Sequence, residues 1–134
     1  MNTAAAPRWF VVDDEATPLN LAAMMLRKLS LADVRACADP REALGDIAAA
    51  PAGLELVVTD LNMPGMDGIE LARRIRALVP GAKVLLTTGS APHLPSASWL
   101  RARGVDLLLP KPYSYNELVA AVRQLCGTDS FRLN

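Results

Sequence analysis

Four short polar stretches hold residues able to do chemistry, and each directly follows a run of aliphatic residues: Asp13-Asp14, Thr59-Asp60, Thr87-Thr88-Gly89 and Pro110-Lys111-Pro112. Carboxylates gathered at one place repel one another unless a cation sits among them, and oxygen ligands with room for water suit a hard divalent ion such as Mg²⁺. A carboxylate can also attack phosphorus and form an acyl phosphate. The Lys111 ammonium would then neutralise a phosphoryl oxygen, the Thr88 hydroxyl would donate a hydrogen bond to another, and Gly89 would leave space for the group. The expected chemistry is metal-assisted phosphoryl transfer, and the residue types alone do not say which acid is the nucleophile.

Taken singly, each residue has an ordinary role. Asp13-Asp14 reads as a solvated turn before a helix, Asp60 as a strand end, Thr88 as a structural hydroxyl and Lys111 as a surface charge. Their recurrence at the same ends of successive strands is what selects the chemical reading.

Those strands are the elements that must position the site. Unbroken aliphatic runs at Trp9–Val12, Leu54–Val58, Val84–Leu86 and Leu107–Leu109, with a weaker one at Val34–Cys37, suit strands buried on both faces. Helical spacing of apolar residues lies between them, as in Leu19, Ala22, Ala23, Leu26 and Leu29, and again in Leu118, Val119, Val122 and Leu125. Thr17-Pro18 reads as an N-cap and first helical position, and Asp39 with Glu42, Asp67 with Glu70, and Ser114 with Glu117 read as capping boxes. Asp67 is given no chemistry. Gly81, Gly104 and Gly127 read as helix exits, and Pro92 and Pro95 confine the helix before Gly104 to about Ser96–Arg103. Alternating strands and helices predict an α/β fold: a flavodoxin-like, doubly wound parallel sheet of five strands in the order 2-1-3-4-5, with helices on both faces. In such sheets ligands bind beyond the carboxyl ends of the strands, where strand order reverses.

The 134 residues fit a single domain, and the 51% hydrophobic and 4% aromatic content predicts an aliphatic core. With 14 basic and 14 acidic residues, no excess positive charge is present to release counterions from nucleic acid, so direct nucleic-acid binding is not expected. Cys37 and Cys126 lack metal-ligand spacing and read as free thiols of a reducing compartment. The first apolar run is cut short by Asp13-Asp14-Glu15, which indicates neither export nor a membrane span, and the cytoplasm is the expected location.

The segments Val11-Val12-Asp13-Asp14-Glu15, Thr59-Asp60-Leu61-Asn62-Met63-Pro64-Gly65-Met66-Asp67-Gly68, Thr88-Gly89 and Lys111-Pro112 closely resemble the CheY-like response-regulator receiver family over about Arg8 to Cys126. The resemblance implies a receiver over residues 8–126, flanked by short extensions at 1–7 and 127–134. It implies that Asp60 accepts a phosphoryl group from the phosphohistidine of a histidine kinase or histidine phosphotransfer protein, and that Thr88 and Lys111 contact that group. It further implies Mg²⁺ or Mn²⁺ held by Asp14 and Asp60 directly, by Asp13 largely through water and by the Asn62 backbone carbonyl, with a Lys111–Pro112 bond that is usually cis. Phosphorylation would shift a conformational equilibrium that controls binding of a downstream protein, and slow hydrolysis would reset it.

One position departs from the family pattern: Leu108, three before the Lys, stands where Tyr or Phe is usual, so signalling by a swinging aromatic ring is not expected. Pro110 and the Leu107–Leu109 run are similar to receivers of hybrid sensor kinases, and nothing after Cys126 reads as an output segment, which fits a stand-alone receiver or one cut from a larger protein. Two other functions fit less well. An aspartate-nucleophile phosphohydrolase would place its nucleophile in an Asp-x-Asp arrangement after the first strand, and a binding-only module has only Leu108 in its favour. His93 reads as a loop residue, Met24 and Met25 as helix packing with one partly exposed, Trp9 and Trp99 as amphipathic edge residues, and Arg73, Arg74 and Arg76 as a solvated helix face.

Overall fold

The computed structural model describes residues 5–89 and 94–133; His93 and Pro92 lie outside the described residues. Strands and helices alternate without exception: β1 (Arg8–Val12), α1 (Ala16–Leu29), β2 (Asp33–Cys37), α2 (Pro40–Ala49), β3 (Leu54–Asp60), α3 (Gly68–Leu78), β4 (Lys83–Thr88), α4 (Ala97–Ala102), β5 (Leu107–Pro110) and α5 (Tyr115–Cys126). The strands form one parallel sheet in the order β2-β1-β3-β4-β5, as the alternation predicts.

Side-chain alternation along the strands divides the core in two. Phe10, Val12 and Val57 face α2 and α3, where Ala43, Ile47, Leu71 and Ile75 cover them. Trp9, Val11, Leu56 and Val58 face α1 and α5, against Leu19, Leu26, Leu118 and Val122. The central strands are covered on both faces, which is why their sequences are nearly continuous aliphatic runs. Trp9 is fully buried rather than at an edge, because β1 lies between β2 and β3; its indole N–H donates to Glu55 Oε1 at 2.7 Å.

Helix starts follow their capping chemistry in most places. Ser114 and Glu117 form a complete capping box. Asp39 accepts from the Arg41 N–H and Asp67 from the Glu70 N–H, but neither box closes. The Glu70 carboxylate turns instead to the exposed guanidiniums of Arg73 and Arg74, whose hydrogen bonds hold its pKa down at about 2. Helix α1 begins at Ala16, so Thr17 is not its N-cap; Glu15 occupies that position, and its own N–H donates to Asp13 Oδ1 at 3.0 Å. Ser96 caps α4, which is shorter than Ser96–Arg103 by the two boundary residues.

Gly104 and Gly127 leave their helices at φ +92° and +70°, the left-handed region that glycine enters without strain. Gly81 does not serve as a helix exit, because α3 stops at Leu78 and Pro80 disfavours helical geometry at Val79. Met24 is well exposed and Met25 half-buried, and both cysteines are free. Burial pushes the Cys37 thiol up to about 11 and that of Cys126 up to about 12, so both are poor nucleophiles.

Gly68, the first residue of α3, has a steric role. A Cβ there would lie 2.3 Å from the Asp60 carbonyl oxygen and 2.6 Å from Leu86 Cδ1, while the Gly68 N–H donates to the Leu61 carbonyl at 2.9 Å. The start of α3 is thus pressed against the backbone of Asp60. Gly68→Ala should destabilise the fold by about 1–3 kcal/mol through overpacking. Gly81→Ala, with nothing within 4 Å of the new methyl, should stay within about 0.5 kcal/mol. Urea unfolding of both variants measures the difference.

Candidate functional site

Strand register brings the polar stretches together. Val12 pairs with Thr59, Asp60 with Thr87, and Thr88 with Pro110, so Asp13, Asp60, Thr88 and Lys111 emerge along one rim at the carboxyl ends of β1, β3, β4 and β5. β3 runs on through Asp60 and β4 through Thr88, so these two are fixed by the ladder, while Asp13 and Lys111 directly follow the last residues of β1 and β5. β1 and β3 are neighbours although a strand and two helices separate them in sequence, which is the reversal of strand order expected to make a site.

Carboxylate oxygens of Asp13, Asp14 and Asp60 lie within 4.8 Å of one another. Asp13 and Asp60 are buried and Asp14 is exposed. At an effective dielectric constant near 20, two like charges about 4 Å apart repel by about 4 kcal/mol. The Lys111 ammonium offsets this repulsion by donating to Asp13 Oδ2 at 3.0 Å and Asp60 Oδ1 at 3.2 Å. The Lys111 N–H donates to the Thr88 carbonyl at 2.8 Å, and the Lys111–Pro112 bond is cis.

Burial raises the Asp60 carboxyl above its ordinary range; the hydrogen bond and charge of Lys111 oppose the shift, and Asp13 and Asp14 add to it. Burial works against the Lys111 charge, but its hydrogen bonds to Asp13 and Asp60, with their negative charges, outweigh it and leave the Lys111 pKa raised. The cluster therefore has carboxylate oxygens in excess of the one cation present, and its donor set and spacing fit a divalent ion with oxygen ligands.

A cavity of about 340 Å³ opens over these groups, lined by Glu15, Pro18, Asp60, Asn62, Gly89 and Lys111. Asn62 is exposed at its edge and Thr88 is buried beneath it. A Cβ at Gly89 would meet Lys111 Cβ at 3.8 Å, an ordinary contact, so the position faces the opening without being closed by the protein itself. Of the six residues expected from sequence, Asp60, Asn62 and Lys111 line this cup, Asp13 and Asp14 lie within 4.8 Å of Asp60 through their carboxylate oxygens, and Thr88 ends β4 beside it. Glu15 and Pro18 were not singled out as lining it; their signal is only that they open the helix after Asp14. Tyr113 was also missed, and with Lys111 and Pro112 it lines an adjoining apolar groove. Leu108 stands apart, half-buried in a separate concavity with Leu94, Leu100 and Val105.

The model of the response regulator receiver domain matches residues 10–123. The chain belongs to that family. Receiver domains of this family are signalling modules of two-component systems and work with histidine kinases. This receiver is 36% identical over 123 residues to the C4-dicarboxylate transport transcriptional regulatory protein DctD of Rhizobium meliloti, the match covering 90% of the present chain and 25% of DctD. The chain thus spans about a quarter of the length of that relative. A response regulator receiver domain protein from Clostridium thermocellum superposes with a TM-score of 0.79 at 25% identity, covering 89% of this chain and 93% of the other. The chemotaxis protein CheY4 of Vibrio cholerae shares the fold, with a TM-score of 0.77 at 24% identity and coverage of 90% and 99%. Among the described residues, no helix of the receiver is long and apolar enough to cross a membrane.

The raised Asp60 pKa has a consequence for stability. A carboxyl whose folded pKa lies above its unfolded value contributes stability that is complete below the unfolded pKa and lost as pH rises through the folded one. Ionised Asp60 therefore costs stability at neutral pH. Asp60→Asn should raise Tm at pH 7 in metal-free buffer, and the gain should fade as pH falls through the raised pKa of Asp60 and be gone below the ordinary aspartate range. A divalent cation should stabilise the wild type by about 2.7 kcal/mol at one hundred times its Kd, and Asp60→Asn should lose most of that response. Thermal melts across pH, with and without Mg²⁺, test both statements.

Proposed function

We propose that this receiver accepts a phosphoryl group on Asp60 from the phosphohistidine of a partner kinase or histidine phosphotransfer protein. The observation that carries this reading is the meeting of Asp13, Asp14, Asp60 and Lys111, remote in sequence, at the floor of one open cup. Of the three acids Asp60 is the one that lines the cup itself, and it is also within reach of both other carboxylates and hydrogen-bonded to Lys111. Its oxygen attacks phosphorus in line with the departing histidine nitrogen, so an O–P bond forms as the N–P bond breaks.

Mg²⁺, or Mn²⁺ in its place, supplies charge neutralisation at the phosphoryl oxygens when bound. Asp14 and Asp60 would hold it directly, with the Asn62 backbone carbonyl. Asp13 acts through water, a role supported by its hydrogen bonds: one of its oxygens already accepts from the Glu15 N–H and the other from Lys111. Lys111 exchanges a carboxylate contact for a phosphoryl oxygen, and the Thr88 hydroxyl turns toward the same group. Movement of these two, at the ends of β4 and β5, biases the loops that follow them and so the affinity for a downstream protein. With Leu108 in place of an aromatic ring, that shift is one of loop packing and not of ring exposure.

Residues 8–126 form the phosphoryl-accepting unit, with 1–7 and 127–134 as extensions, and we place the receiver in the cytoplasm. DctD is by its name a transcriptional regulator; in a longer polypeptide of that kind, contact with nucleic acid would belong to another segment, because this one has balanced charge.

Incubation with a small-molecule phosphodonor and Mg²⁺ should add the mass of one phosphoryl group to the wild type and none to Asp60→Asn, read by intact-mass spectrometry. An unmodified wild type that still binds metal would refute the assignment. Lys111→Ala should keep metal binding, since it removes a competing cation, yet lose at least about tenfold in phosphorylation rate, the scale of a lost charge-assisted contact in phosphoryl transfer.

A further inference from the structure

The second concentration of charge in this molecule is basic. A hollow of about 320 Å³ lies between the end of α1, α5 and the C-terminal stretch, and Lys28, Arg123 and Arg132 line it together with Tyr115 and Asn116. Among the described residues no carboxylate lines it, although acidic and basic side chains balance over the chain. None of the three cations has an ion-pair partner among the described residues.

Two of the three are held in place. Lys28 Nζ sits 4.9 Å from the centroid of the Tyr115 ring. Arg132 donates its backbone N–H to the Leu29 carbonyl at 2.9 Å and its Nε–H to the Arg27 carbonyl at 2.9 Å. The stretch carrying Arg132 is itself tied down: the Leu31 N–H donates to the Ser130 carbonyl at 2.7 Å, and Phe131 pairs with Ser30 in an antiparallel bridge. Helix dipoles favour a cation near each helix C-terminus. That accounts for one charge per helix, not for three around a single hollow.

Like charges gathered in a concavity repel, and a bound anion relieves the repulsion as a cation does in the acidic cup. We propose that this hollow binds a small oxyanion bearing two or more charges, as phosphate or carboxylate groups, on an apolar body. The guanidiniums of Arg123 and Arg132 offer forked donors to oxyanions, Lys28 a point charge, and Leu29, Val119 and Phe131 an apolar floor. Its volume lies at the small end of ligand pockets, roughly 300–1,000 Å³. It shares no lining residue with the cup over Asp60, so the site is independent of phosphoryl acceptance, and its ligand would clamp the C-terminal stretch onto α1 and α5.

The test uses the full chain carrying Asp60→Asn in metal-free buffer, titrated separately with pyrophosphate and citrate and followed by amide NMR and calorimetry. Saturable shifts should be confined to the ends of α1, to α5 and to the C-terminal stretch, and should weaken with salt. Stronger binding of pyrophosphate would assign a phosphate-bearing ligand, and stronger binding of citrate a carboxylate-bearing one. Arg123→Ala, or Lys28→Met should the first variant fold poorly, should weaken binding about tenfold, the loss expected for one charge-assisted contact. Arg103→Ala, outside the hollow, should leave it unchanged. Shifts that are absent, spread over all basic residues, or indifferent to Arg123 and Lys28 would overturn the proposal.

Discussion

The structure depends on one electrostatic compromise: a single ammonium, Lys111, shared between two buried carboxylates, Asp13 and Asp60. Burying either acid alone would be costly, because desolvation penalises the charged form and its neighbour repels it. One ammonium cannot balance three carboxylates, so the cup keeps a surplus of negative charge. That surplus makes a bound cation favourable and adds to burial, the larger cause, in raising the Asp60 pKa. The fold thus carries a locally unfavourable cluster and holds it with the rest of its core.

What holds the cluster is the rigidity of the strands beneath it. The last ladder pairs of β1, β3, β4 and β5 reach to within one residue of the acids and the lysine, so each group leaves the sheet in a fixed direction. Aliphatic layers on both faces, with α2 and α3 on one side and α1 and α5 on the other, bury nearly every residue below the rim. Gly68 completes the support by letting α3 start in contact with the Asp60 backbone. The Met63–Gly68 stretch thereby reads as packing: Met63 and Met66 are buried, Gly65 turns at φ +82°, and Asp67 caps α3.

Charge is distributed in the same economical way elsewhere. The chain is neutral overall, yet like charges meet in an acidic cup at the strand ends and in a basic hollow by the C-terminal stretch. Some of the other charges pair on the surface, as Glu70 does with Arg73 and Arg74 or Arg35 with Asp46, and such exposed pairs contribute little to stability.

The strands, their order and the acidic rim were legible in the sequence because local rules govern them. Doubly buried strands must be continuously aliphatic, alternating elements must cross over with one hand, and a polar residue after such a strand must lie at its end. The placing of Asp13, Asp14, Asp60, Thr88 and Lys111 at strand ends followed from those rules, while Asn62 and the choice of Asp60 as acceptor came from the resemblance to the receiver family. The sequence alone did not determine which donors and acceptors meet across the molecule. Lys111 bridging Asp13 and Asp60, Asp13 capping the Glu15 N–H while Thr17 does not cap α1, Glu70 turning from its box to two arginines, Trp9 buried between two strands and Arg132 closing a basic hollow are contacts between competing partners. Many partners are chemically equivalent along a chain, and only the packed backbone, by fixing distances to a few tenths of an ångström, decides among them.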